Sequence, residues 1–219
     1  MMQTAEQRQD TTATVSYFQT HLLRCPIVAI LRGLSPGAAA AAARALWDIG
    51  VELIEVTVQD DDGFRALELV AEIAAESGRP LGAGSIASVA DLQQVVDLGA
   101  AFAISPGLDI EIVHHAREQK IPYLPGVATP TEIQLAQAHG ISELKLFPAR
   151  QLGGTRFIMA MSGPFPGVSL VPTGGVAVSD IDGYLDAGAL GVGIGAEIAR
   201  PSGVDSLRDW LTDRRKSPR

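Results

Sequence analysis

Short apolar runs alternate with longer amphipathic stretches along nearly the whole chain. The apolar runs are strand-length and the stretches between them carry near-helical spacing. PIVAILRG (26–33) precedes an Ala-rich helix over 36–49, with Pro36 at a favoured first-turn position. VELIEVTV (51–58) precedes a helix over 62–76, PLGAGS (80–85) one over 88–98, and AFAISPG (101–107) one over 109–119. IPYLPGVA (121–128) precedes a helix over 130–139, and ISELKLF (141–147) one over 154–161. VSLVPTGG (168–175) leads to a helix over 179–187, and ALGVGIG (189–195) to a last one over 204–214. Gly50, Gly78, Gly99, Gly140 and Gly188 fall where helices should stop.

Eight strand–helix units in one series, without a linker-like shift, predict a single α/β domain over 1–219, a (β/α)8 TIM barrel. Val15, Phe18, Leu22 and Leu23 add an extra N-terminal helix over 12–24, ahead of a barrel spanning 26–214. Residues 1–11 are polar and are expected to be disordered. A doubly wound open sheet is the rival, but it normally uses fewer strands and a nucleotide fingerprint that this chain lacks.

Composition narrows the partners. A formal charge of −8 argues against nucleic acid, and the RRKSPR tail is more simply solvated. Cys25 is the only cysteine, so no intrachain disulfide forms; it reads as a small buried hydrophobe. No apolar run approaches a membrane span, and the first residues lack the apolar core of a secretion signal. These features predict a soluble, cytoplasmic protein.

One strand breaks the apolar rule. In Ile141 to Ala149, alternation puts Leu144 and Leu146 on one face and Glu143, Lys145 and Phe147 on the other. A central parallel strand is buried on both faces, and burying an ammonium is costly. A desolvated lysine can serve as the neutral amine that attacks a carbonyl; alternatively, Lys145 pairs structurally with Glu143 or Glu55. In VELIEVTV, Glu55 shares a face with Leu53 and Thr57, so it can point into the same interior as Lys145.

In such barrels chemistry gathers at the C-terminal ends of the strands. Here those ends carry Arg32, Glu55 with Thr57, Ser85, Ser105-Pro106, Pro125-Gly126, Lys145 with Phe147, Thr173-Gly174-Gly175, and Gly193 to Ala196. The glycine-rich ends of strands seven and eight suit an anion, because exposed backbone amides form nests there. His21, His114, His115 and His139 show no metal-ligand spacing, and Asp60-Asp61-Asp62 fits helix N-terminal charge.

VAILRG (28–33), EVTV (55–58), GAGS (82–85), AFAISPG (101–107), PGVATPTE (125–132), LKLFPA (144–149), GPFPGV (163–168) and PTGGV (172–176) occur in order. Together they closely resemble the 2-keto-3-deoxy-6-phosphogluconate and 4-hydroxy-2-oxoglutarate aldolases, over roughly 24 to 200. The resemblance implies a homotrimeric class I aldolase with no metal and no cofactor. It would cleave a phosphorylated 2-keto-3-deoxy sugar acid to pyruvate and glyceraldehyde 3-phosphate. Lys145 would form the Schiff base and Glu55 would be the general acid/base. Arg32 and Ser85 would hold the pyruvate carboxylate, Phe147 would wall the pyruvyl pocket, and Thr173 would face the sugar hydroxyls. Thr57 and Pro106 complete the candidate substrate set. Gly174, Gly175, Gly193, Gly195 and Ala196 form the candidate phosphate set.

The chain departs from the family pattern in places. Ser85 stands where many relatives have threonine, Gln59 where one branch has a carboxylate-binding arginine, and Arg150 follows FPA where glutamate is common. Ala196 replaces a serine, removing one phosphate donor, so a phosphate-free 2-keto acid such as 4-hydroxy-2-oxoglutarate is an alternative substrate. Two further readings compete: a barrel that only binds a ligand, and a phosphosugar isomerase or synthase. The second would not need an interior lysine.

Overall fold

The computed structural model describes residues 16–216. The expectations for residues 1–11, and for a helical start at residues 12–15, lie outside these described residues. Within them, strand and helix alternate as the hydrophobic pattern requires. The order is α1 (Tyr17–Leu22), β1 (Ile27–Leu31), α2 (Pro36–Asp48), β2 (Leu53–Thr57), α3 (Asp61–Ser77), β3 (Leu81–Gly84) and α4 (Val89–Asp97). Then come β4 (Phe102–Ile104), α5 (Ile110–Glu118), β5 (Tyr123–Leu124), β6 (Gly126–Val127), α6 (Pro130–Ala138) and β7 (Glu143–Leu146). The chain closes with α7 (Thr155–Ser162), β8 (Ser169–Pro172), a 3-10 turn (Val178–Asp180), α8 (Ile181–Asp186), β9 (Val192–Ile194) and α9 (Pro201–Lys216).

Local chemistry sets the helix boundaries. Ser35, Asp60, Ser88, Asp109 and Thr129 each accept a hydrogen bond from a first-turn amide. At α6 the cap is reciprocal: Glu132 accepts from the amides of Ala128 and Thr129, while Thr129 accepts from that of Glu132. The five glycines expected at helix stops all adopt positive φ, a conformation that costs glycine little.

All strand pairs are parallel. One sheet runs β5-β4-β3-β2-β1-β9 and the other β6-β7-β8. The chain passes from β5 into β6 through Pro125, and a parallel bridge between Thr173 and Gly193 links β8 to β9. The result is a curled parallel sheet with helices outside it, an α/β, TIM-like architecture. The fifth expected strand is split in two. Proline lacks an N–H for the ladder, and Gly126 comes so close to Pro106 that an added Cβ would lie 2.2 Å from its carbonyl oxygen.

Two apolar layers follow from strand alternation. Leu144 and Leu146 face outward into the larger core under the helices. Val28, Ile30, Leu53, Phe102, Ile104, Leu124 and Val171 face inward, joined by Phe18 and Leu22 of α1. The α1 helix therefore packs against the interior of the curled sheet, with Phe18 edge-on to Phe102 at 5.7 Å between ring centroids. Its capping residue Ser16 accepts from the Gln19 amide and donates to Glu143, on the inward face of β7. No helix of the described residues is long and apolar enough to cross a membrane.

Candidate active site

The inward parity read from the sequence brings Lys145 and Glu55 together. Glu55 sits on β2 beside Gly82 of β3, and Lys145 sits on β7 between Gly126 and Val171. Lys145 Nζ lies 3.9 Å from Glu55 Oε1. Both residues are buried, at 2% and 0% relative exposure. The separation exceeds a hydrogen bond, and neither Glu55 oxygen has a hydrogen-bond partner among the described residues. Gly84 makes room for the acid, since a Cβ there would sit 1.7 Å from Oε1. The alternative partner, Glu143, is occupied by Ser16.

Burial raises the Glu55 pKa above its ordinary value of 4.5, while the charges of Lys145 and Arg32 pull it back. A carboxyl in this setting keeps its proton to higher pH than a surface glutamate does. It can therefore donate and recover a proton beside the amine. Lys145 Nζ also lies 5.3 Å from the centroid of the Phe147 ring.

A cavity of about 490 Å³ opens at the C-terminal ends of β7, β8, β9 and β1. It is lined by Arg32, Phe147, Thr173, Gly174, Gly175, Gly193, Gly195 and Ala196, eight of the residues expected at the site. Lys145 and Glu55 do not line it; Lys145 meets it through the ring of Phe147, which does. Thr57, Ser85 and Pro106 are not brought to this cavity. Thr57 is buried and contributes to a second cavity of about 190 Å³ beside the starts of α2 and α3. Pro106 is exposed. Ser85 is half-buried at the end of β3 with φ +67°, a conformation that is uncommon outside glycine and worth noting at a candidate site.

Two carboxylates at the site were not singled out from the sequence. Glu197 lines the cavity and accepts from the Val178 amide at 2.7 Å. Asp180 accepts from the Ala177 amide at 3.0 Å and from Arg150 Nη2 at 3.0 Å. Arg150, visible in the sequence only as a departure from FPAE, also lines the cavity. Among the described residues no group of three or more His, Cys, Asp and Glu side chains could hold a metal ion. His21 instead contacts Glu52 at 2.7 Å, and the His114 and His139 rings pack together on the outer helices.

Comparison with known proteins accounts for this arrangement. The family described as KDPG and KHG aldolase matches residues 18–210. The chain belongs to that family. A KHG/KDPG aldolase of Escherichia coli (strain K12) is 37% identical over 143 residues, which span 65% of this chain and 66% of that relative. The match thus covers slightly less than two thirds of that relative's length. A KDPG aldolase from Legionella pneumophila, with pyruvate captured as a covalent carbinolamine intermediate, is 30% identical with a TM-score of 0.79. That likeness covers 90% of this chain and 96% of the Legionella chain. The Zymomonas mobilis ZM4 aldolase with 3-phosphoglycerate is 27% identical with a TM-score of 0.80, covering 91% and 95% of the two chains.

Proposed function

We propose that this chain is a class I aldolase that cleaves a 2-keto-3-deoxy-6-phospho sugar acid to pyruvate and glyceraldehyde 3-phosphate. The observation that carries the reading is the buried Lys145–Glu55 pair, 3.9 Å apart beside a glycine-lined cavity. Family membership and the carbinolamine captured in the Legionella relative support it.

The chemistry follows from the two groups. The Lys145 amine adds to the substrate C2 carbonyl, giving a carbinolamine. Glu55 protonates the hydroxyl that leaves as water, and an iminium remains. The ionised Glu55 then takes the C4 hydroxyl proton as the C3–C4 bond breaks. The bond's electron pair flows into the iminium to give an enamine, and the aldehyde departs. Glu55 returns the proton to C3, and water releases pyruvate from Lys145. Arg32 offers a guanidinium fork to the keto-acid carboxylate, with Ser85 as a hydroxyl donor. Phe147 walls the pyruvyl end and Thr173 faces the substrate hydroxyls, while Thr57 and Pro106, which lie away from the cavity, take no part in this reading. The turn amides of Gly174, Gly175, Gly193, Gly195 and Ala196 serve the phosphate. Lys145→Ala removes the nucleophile, so cleavage should fall to the assay background while the circular dichroism spectrum stays native. Retained turnover in that folded variant would refute the assignment.

A second reading has its own support. Ala196 has no hydroxyl, and Asp180 and Glu197 already occupy the Ala177 and Val178 amides. A substrate without phosphate, such as 4-hydroxy-2-oxoglutarate, fits those facts. The same proposal extends to the whole chain: one domain with a closed (β/α)8 barrel over 26–214 and α1 as an added N-terminal helix, working as a cytoplasmic homotrimer.

A further inference from the structure

We propose that Arg150 is the specificity-determining residue for the far end of the substrate, binding a phosphate monoester with its guanidinium, and that Asp180 positions it. The inference rests on the aldolase reading above and assigns a residue that the reading leaves unused.

Arg32 and Arg150 line the same cavity. They leave β1 and β7, the strands that flank β8 and β9. A cavity bracketed by two guanidinium groups suits a molecule that is anionic at both ends. The Arg150 stem passes over the glycine turn after β8: a Cβ on Gly175 would lie 2.8 Å from Arg150 Cβ and 3.1 Å from its Cδ. Gly175 itself holds φ +75°. The residue therefore supports an arginine laid across the cavity edge.

Asp180 holds the guanidinium there. Its Oδ2 accepts from both Arg150 Nη2 and the Ala177 amide, each at 3.0 Å. Only Nη2 is engaged among the described residues, so Nη1 and Nε remain as donors for a ligand. The competing donors are fewer than the glycine-rich sequence suggests. Ala177 is taken by Asp180, Val178 is taken by Glu197, and Ala196 offers no hydroxyl. The guanidinium is thus the strong donor left at that end of the cavity. A dianion with three acceptor oxygens gains most, because it can meet the fork and the turn amides together.

The test runs the condensation of pyruvate with three acceptors: D-glyceraldehyde 3-phosphate, D-glyceraldehyde and glyoxylate. In Arg150→Ala, the preference for the phosphorylated over the plain aldehyde, as a ratio of kcat/KM values, should fall at least tenfold. The loss should lie in KM for the phosphorylated aldehyde, with kcat within about twofold. Arg150→Lys should recover part of it, because the charge survives without the fork. Asp180→Ala should lower the same preference by a smaller factor. A thermal melt of each variant confirms folding, since Arg150 is largely exposed and Asp180 is half-buried. Equal losses on all three acceptors, or no loss, would overturn the role of Arg150. A loss confined to glyoxylate would make the far group a carboxylate and overturn the phosphate assignment. A wild-type protein that condenses none of the three would instead sink the aldolase reading and this inference with it.

Discussion

Glu55 is held between opposing influences: burial disfavours its charge, and the cations of Lys145 and Arg32 favour it, with burial the larger. The folded protein therefore binds a proton at Glu55 at pH values where the unfolded chain has released it. Stability linked to this group is present below the ordinary value of 4.5 and is lost as pH rises through the folded value. The same displacement governs catalysis, because Glu55 must be ionised to take the C4 hydroxyl proton. The acid limb of the kcat/KM profile should have its midpoint above 4.5, and Glu55→Gln should lose turnover across the whole range. A limb at or below that value would show the acid to be solvated. At this scale the sequence was informative. Strand parity placed Glu55 and Lys145 on inward faces, since a period of two leaves only one alternative. Arg150, Asp180 and Glu197 were not legible, because they lie in turns, where no period fixes a side chain's direction.

At the scale of elements, α1 shows how one cap couples to a strand. Ser16 accepts from the Gln19 amide, and its hydroxyl donates to Glu143, whose pKa burial raises. Ser16→Ala removes the cap and leaves a buried carboxyl without that donor. We expect a stability loss of about 1–2 kcal/mol, read as a lower midpoint in urea unfolding with little change in kcat. An unchanged midpoint would mean that α1 contributes little to the fold. Helix stops were well marked in sequence by Gly50, Gly78, Gly99, Gly140 and Gly188, all of which hold positive φ, whereas the capping roles of Ser35, Ser88, Asp109 and Thr129 emerge only from the structure. Strand ends were less well marked. The run at 121–128 reads as one strand, yet Pro125 divides it into β5 and β6, where the missing amide cannot join the ladder. The last helix begins at Pro201, ahead of the 204 expected, because its first turn lacks strong apolar periodicity.

At the scale of the whole molecule, the alternation of units was enough to predict the parallel α/β, TIM-like sheet, since parallel strands with helical crossovers bury both sheet faces. The inner layer follows from alternation as well. Gly82 leaves room for Phe102 on the neighbouring strand, where a Cβ would lie 2.1 Å from the ring. Outside the sheet, Leu135 on α6 and Met159 on α7 stay 43% and 54% exposed. Side chains exposed singly like these are ordinary on a surface, so the proposed homotrimer is tested directly by its mass. Light scattering should then give three times the chain mass of 23.0 kDa, and a monomeric mass would contradict the assembly.

The central claim concerns one amine, and trapping tests it most directly. The protein is incubated with pyruvate, reduced with borohydride, digested and mapped by mass spectrometry. The account predicts a single reduced pyruvyl adduct on Lys145, with none in Lys145→Ala. No adduct, or one on Lys120 or Lys216 in place of Lys145, would contradict it.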